Sequence, residues 1–186
     1  MSYAIPVDEL SVSKIEGFRK LCKDRMIARA QELSMVTARD QLVFREALPA
    51  TDLGLPVGSG YTNEDYLTGA VAANTWTLVY DTGAVAQLGT RTLIGFYKIT
   101  NEDVNPQVVA VRFRKGLTGN TTLGTFSIAQ FMNVKLTPEV YLSEPVIYSP
   151  QDFVFVECYA RAAIGAGGEH LGFGCFVAEP VGQNIS

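Results

Sequence analysis

Few side chains in this sequence are equipped for chemistry, and their spacing argues against each reaction in turn. His170 is the single histidine and stands next to Glu169, beside a predicted hairpin turn. A Ser-His-Asp triad would have to recruit it, yet no G-x-S-x-G elbow exists, and Gly58-Ser59-Gly60 reads as a flexible loop. One histidine cannot furnish a His-rich cupin-type site, an H-E-x-x-H zinc helix or a Cys2His2 finger. Cys22, Cys158 and Cys175 lack C-x-x-C spacing, so they form neither a disulfide framework nor a zinc knuckle, and reduced thiols are expected. Glu64-Asp65 and Glu102-Asp103 are adjacent acids in predicted loops, where solvated turn formers are commoner than a glycosidase pair. The run Gly165 to Gly174 fails the G-x-G-x-x-G pattern and precedes a strand, so no helix N-terminus is there to hold phosphate. Trp76 could line a glycan platform with tyrosines, but its place in a period-two strand predicts core. No enzyme activity, metal or cofactor is expected.

The elements that position these residues divide the chain by charge. Fifteen of the 34 charged side chains fall in residues 1–50, and the 136 residues that follow share the rest. Net charge is −4, composed of +1 in the first part and −5 in the second. That balance supplies no basic face for nucleic acid; Arg112, Arg114 and Lys115 read as one solvated strand face. The longest uncharged stretches, 66–80 and 116–134, are broken by Thr, Asn and Gly, so neither reads as a membrane span. Residues 1–12 lack a basic segment followed by an apolar one, so synthesis in a cytosol is expected.

Ser13-Lys14-Ile15-Glu16 has capping-box form, predicting a helix over about 14–34. Ile15, Phe18, Cys22, Met26, Ala30 and Leu33 recur at helical spacing, with Arg19, Lys23 and Arg29 outside the stripe. Burying four such residues contributes about 6–12 kcal/mol as an upper bound, so the stripe needs a surface, either its own β-body or a neighbouring subunit. Residues 37–48 read either as a short helix capped at Thr37 or as a strand through Gln41 to Arg45. Residues 49–74, with Pro49, Gly54, Pro56, Gly58, Gly60 and Gly69, form a long irregular connection.

Beyond Asn74 the period becomes two. Strands are predicted over 75–80, 91–100, 107–115, 124–131, 140–148, 152–162 and 171–178, with Val109, Val111 and Phe113 inward and Arg112 and Arg114 outward. About seven strands without intervening helices define a mainly β fold. The expected body is an antiparallel β-sandwich or jelly roll over 51–186, preceded by a helical arm over 1–50. A tight turn within Gly165 to Gly168 would make the last two strands a hairpin, with Val156 facing Val177, Cys158 facing Cys175 and Ala160 facing Phe173.

A charged amphipathic helix over Ser13 to Ser34, a Gly/Pro loop over Pro49 to Asn74 and a low-charge β-body from Thr75 to Ala178 resemble bacteriophage virion proteins. The organisation is most similar to capsid decoration, or cement, proteins. That resemblance implies a homotrimer on the capsid surface that braces neighbouring copies of the major capsid protein, with no nucleic-acid or membrane partner. Interface candidates on the arm are Ile15, Phe18, Cys22, Met26 and Leu33, with Arg19 and Arg29. The alternatives are a jelly-roll shell subunit or tail or baseplate component, and a soluble carbohydrate- or ligand-binding β-sandwich.

Overall fold

The computed structural model describes residues 4–6, 10–47, 52, 65–67, 70–81, 88–101, 103, 105–129, 139–166 and 168–182. Among them lie one long helix, α1 (Val12–Glu32), and ten strands. The strands are β1 (Ala4–Pro6), β2 (Leu42–Glu46), β3 (Asp65–Leu67), β4 (Trp76–Asp81), β5 (Leu93–Asn101), β6 (Val108–Lys115), β7 (Thr121–Ser127), β8 (Glu139–Tyr148), β9 (Val154–Ala160) and β10 (His170–Pro180). One sheet runs β1-β8-β5-β10-β2, with β3 also pairing β10; the second runs β4-β9-β6-β7. Every strand pair is antiparallel, and the two sheets stack as a β-sandwich.

Alternation builds the space between the sheets. Ile94, Phe96 and Ile99 from β5 and Leu171, Phe173, Cys175 and Val177 from β10 meet Val111, Phe113, Val156 and Cys158 from the other sheet. Phe96 centres this layer, with ring centroids 5.1 Å from Phe113, 5.8 Å from Tyr148 and 6.0 Å from Phe173. Tyr148 is fully buried, and its hydroxyl donates across the sandwich to Arg114 O at 2.9 Å or Phe155 O at 3.2 Å. The link satisfies the one polar atom of a large buried ring.

The central strands of the first sheet are apolar on both faces, because α1 covers the outer one. Cys22, Met26, Ile27 and Ala30 pack on Leu93, Tyr97, Tyr141, Phe176 and Ala178, with Ile15, Phe18 and Ile147 partly buried beside them. At Gly95 the helix comes so close that an added Cβ would stand 2.7 Å from both Cys22 Sγ and Met26 Sδ. Arg19 and Lys23 flank this contact. The Arg19 guanidinium lies 5.2 Å from the Phe176 ring and pairs with Glu46 at 2.6 Å, while Lys23 Nζ sits 4.5 Å from the same ring. Long basic stems thus cover apolar surface and keep their charge at the edge.

Two local expectations are corrected, and one open alternative resolves to a strand. The helix starts one turn-fraction earlier, with Ser11 as N-cap and Ser13 inside it; Ser11 Oγ lies 3.0 Å from Ser13 Oγ and neither forms the predicted capping box. Of the two readings of residues 37–48, the strand is the one found, as β2, and only a 3-10 turn over Arg39–Gln41 precedes it, with Gln41 Oε1 accepting from the Thr37 and Ala38 amides. A register shift between Val108 and Ala110 turns Val108 inward in place of Val109. Part of the 49–74 connection is ordered as β3, and most of the remainder lies outside the described residues.

The largest correction concerns the last two strands. They form no hairpin. β9 sits between β4 and β6, whereas β10 sits between β5 and β2 in the other sheet. Cys158 pairs with Thr77 and Val111, and Cys175 pairs with Phe96. Their apolar faces do meet, but face to face through the core and not side by side along a ladder. The chain turns a corner between the sheets after β9, and residues 161–166 there are fixed by the reciprocal Val71–Ile164 backbone bridge at 2.9 Å in both directions.

Burial protonates several acids that would otherwise ionise in base. It pushes the Cys22 and Cys158 thiols up to about 12, Cys175 well above its ordinary value, and the Tyr141 hydroxyl up to about 12. Tyr97 and Tyr148 are raised by the same cause. Thiols in the unfolded chain ionise near pH 9, so above that the unfolded state binds fewer protons and stability falls with pH. Urea midpoints should therefore change little from thiol ionisation below about pH 9 and drop steadily between about 9 and 12. Iodoacetamide at pH 8 should leave all three thiols unlabelled until the chain is unfolded; native labelling at the unfolded rate would contradict their burial.

Candidate functional site

The two outer faces of the sandwich differ. α1 covers the six-stranded sheet, whereas among the described residues no helix covers the outer face of the four-stranded one, where the turn at Gly119 closes over Phe155 at one end. The ladders place the outward side chains of that sheet in rows. Trp76, Tyr159, Ala110 and Ser127 form one row; Leu78, Glu157, Arg112 and Thr125 form the next; Phe155, Arg114 and Thr122 form a third. Leu78 is 47% exposed, Thr122, Thr125 and Ser127 are exposed, and Trp76, Tyr159, Arg112, Arg114 and Glu157 are half-buried.

A charge-linked aromatic cluster centres this face. Arg112 Nε donates to Glu157 Oε2 at 2.7 Å, and Arg114 Nη1 reaches Glu157 Oε1 at 3.1 Å. The Arg112 guanidinium stacks over Trp76, 4.3 Å from the ring centroid, and the Trp76 and Tyr159 rings are 5.6 Å apart and tilted by 59°. Two guanidiniums share one carboxylate, so the cluster is locally positive on a body of negative net charge. Such a partly desolvated cation–π stack holds Trp76 in one orientation at the surface.

Trp76 is therefore not the core residue expected. It opens β4 on the outward phase of the strand, which period two alone cannot distinguish from the inward phase. Arg112 and Arg114 point outward as expected, and they carry more than solvent contact. The signal for this cluster was present in sequence as alternating Arg112, Arg114 and Glu157, Tyr159, but strand adjacency was needed to join them.

The helix residues proposed as interface candidates are placed elsewhere. Cys22 and Met26 are fully buried against the chain's own sheet, and Ile15 and Phe18 pack against the same cluster. Arg19 is held by Glu46 and Tyr97; Arg29 donates to Ser149 Oγ at 2.9 Å and pairs with Glu32. Leu33, 39% exposed, is the member of the stripe left at the surface. The stripe found its surface in its own body. An apolar groove lined by Ile5, Leu10, Lys14, Gly17, Phe18 and Leu21 flanks the helix N-terminal half, with a volume near 490 Å³.

The acid and histidine positions sort differently. Glu169 is 1% exposed and caps the corner before β10 from within: it accepts from Asn101 Nδ2 at 2.9 Å, from the Gln107 amide, and from the Val108 amide at 3.3 Å. His170 contributes its backbone to β10 opposite Leu67. Gly58-Ser59-Gly60, Glu64 and Glu102 lie outside the described residues. Among the described residues no group of three or more His, Cys, Asp or Glu is gathered as metal ligands, and no helix is long and apolar enough to cross a membrane.

These features define an antiparallel β-sandwich in which, among the described residues, a helix covers one outer face and none covers the other. No family model matches the sequence, and no curated protein matches it. Among solved structures, it is similar to a carbohydrate-binding module, CBM36, in complex with calcium and xylotriose. That match is 12% identical, covers 72% of this chain and 97% of that one, and has a TM-score of 0.29. It is also similar to the CBM36-1 domain of a multidomain xylanase from the hindgut metagenome of Trinervitermes trinervoides, at 11% identity, 76% and 98% coverage and a TM-score of 0.31. Likenesses at this level say nothing about function.

Proposed function

We propose that this protein is a non-catalytic docking subunit whose uncovered four-stranded face binds other protein, and in its specific form a virion decoration protein bracing neighbouring shell subunits. The observation that carries the docking role is the Trp76, Tyr159, Arg112 and Glu157 cluster on the face opposite the helix. Trp, Tyr and Arg are the residue types that dominate protein–protein hot spots, and here they are held in place before any partner arrives. The locally positive cluster suits a partner surface with an acidic group at its centre. The virion setting rests on the organisation of the sequence. Binding the assembled shell and not its free subunits would stabilise the assembled state by mass action.

A second reading is favoured by the outward Trp76–Tyr159 pair, which suits stacking on a sugar ring. Against it, the Arg112 guanidinium already occupies the face of the indole that it covers.

One set of variants separates the two. Trp76→Ala and Arg112→Gln should each weaken binding to assembled shells by about 30-fold or more with at most a small drop in thermal midpoint, because neither residue belongs to the core and glutamine opposes no like charge to Glu157. Co-sedimentation with shells measures this. Wild-type loading by both variants would overturn the docking role of this face. Saturable quenching of Trp76, the single tryptophan, by oligosaccharides would instead establish the glycan reading.

A further inference from the structure

The edges of the two sheets are guarded unequally. Proline or charge interrupts most of them: β1 contains Pro6, β2 contains Arg45 and Glu46, β3 contains Asp65, β4 ends in Asp81, and the half of β8 beyond β1 contains Glu144 and Pro145. β7, Thr121-Thr122-Leu123-Gly124-Thr125-Phe126-Ser127, has neither. Thr121, Thr122, Thr125 and Ser127 are exposed, and β6 is the one described strand that pairs with β7. Soluble proteins generally blunt such edges, because unpaired N–H and C=O groups template another strand.

The ladder shows which groups of β7 are turned away from β6. Ile128 donates its amide to Val109 O at 2.9 Å, so that pair is hydrogen-bonded. Alternation makes Phe126–Val111 and Gly124–Phe113 the next hydrogen-bonded pairs, and it turns the amides and carbonyls of Ser127 and Thr125 away from β6. Two successive outward positions on an uncharged strand offer a short template of donors and acceptors.

We infer that β7 is a self-association edge: two copies of this chain pair β7 to β7 antiparallel about a two-fold axis, joining their four-stranded sheets into one of eight strands. A second copy fits this edge for three reasons. Antiparallel pairing of a strand with itself closes under two-fold symmetry, whatever the twist, and leaves no further edge of that kind exposed. Thr and Ser rows meet with no like charges opposed. The nearest guanidiniums, Arg112 and Arg114 on β6, would be three strand spacings from their counterparts, about 14 Å, which exceeds the screening length at physiological salt. The contact is small, well below the roughly 1,200 Å² of a standard interface, so the dimer is weak in dilute solution. Copies concentrated on one surface would pair readily. The inference is independent of what the uncovered face binds, and it replaces the three-fold expected from the resemblance with a two-fold.

Sedimentation equilibrium on the full chain tests it without any shell. A monomer–dimer equilibrium should be measurable at about 200 µM. Thr125→Pro removes an outward amide without touching the β6 ladder, and Thr125→Lys places a charge on the edge; each should weaken dimerisation by at least about 30-fold. If the proline variant is misfolded by circular dichroism, the lysine variant decides. Trp76→Ala should dimerise as the wild type does, which keeps this result separate from loss of docking. A chain that remains monomeric at about 1 mM, forms trimers, or dimerises equally well with Thr125→Lys would overturn the inference.

Discussion

Replacing Glu169 with alanine should lower the thermal midpoint by about 10 °C, the largest effect expected of any single polar substitution. The carboxylate is 1% exposed and gathers the Asn101 side-chain amide with the backbone amides of Gln107 and Val108. Alanine would leave these donors buried without their acceptor, at about 1–3 kcal/mol for each group left unpaired. A total near 3–5 kcal/mol is consistent with the loss of one partner from a buried charged network. The site also fixes topology. Glu169 sits where the chain passes from the β9 sheet to β10, and its partners lie at the end of β5 and the start of β6. Weakening it therefore loosens the junction of both sheets at once. Glutamine keeps one acceptor oxygen but aims an NH2 at donors, so Glu169→Gln should fall between wild type and alanine. Calorimetry on the three proteins gives the order. Equal midpoints for wild type and alanine would mean that water replaces the carboxylate without loss, contrary to its burial.

Glu169 also shows where sequence reading stops. It stands beside a glycine-rich segment, and nothing local marks it as buried. The acceptor role emerges only when β5 and β6 arrive from 60 or so residues away. The failed β9–β10 hairpin has the same origin. Val156, Cys158 and Ala160 alternate in phase with Leu171, Phe173, Cys175 and Val177, but that pattern is identical for neighbours in one ladder and for strands stacked across a sandwich. Alternation reveals which face of a strand is apolar and leaves its partner open. By contrast, the helix, the mainly β class and most body strands were legible, since each depends on local periodicity and turn residues; β7 begins at Thr121 where 124 was expected, and the three-residue strands β1 and β3 were not expected. The uninterrupted apolar run Leu93-Ile94-Gly95-Phe96-Tyr97 additionally held a sign of double-sided burial, which the docked helix explains. The Trp76 cluster needed three strands in register before its members became neighbours.

Removing residues 1–36 should convert the chain into an aggregating one, not into the soluble, docking-deficient body that a detachable arm would leave. The deletion strips α1 from Leu93, Tyr97, Tyr141, Ile147, Phe176 and Ala178 on the outer face of the six-stranded sheet, and it removes β1 from the β8 edge. An apolar patch of that extent exceeds what soluble monomers usually expose, and the freed β8 edge adds a pairing template. Burial of Cys22, Met26, Ile27 and Ala30 with their neighbours contributes on the order of 6–12 kcal/mol as an upper estimate, comparable to the whole stability of a domain. The expected readouts are a pellet on expression or, in any soluble fraction, strong binding of an apolar dye. Met26→Ala keeps the helix and should cost about 2–5 kcal/mol, testing the same contact without exposing the sheet. A truncated chain that stays soluble and monomeric with an unchanged midpoint would show that the helix does not hold this face. The stripe from Ile15 to Leu33 would then be free to engage a neighbouring subunit.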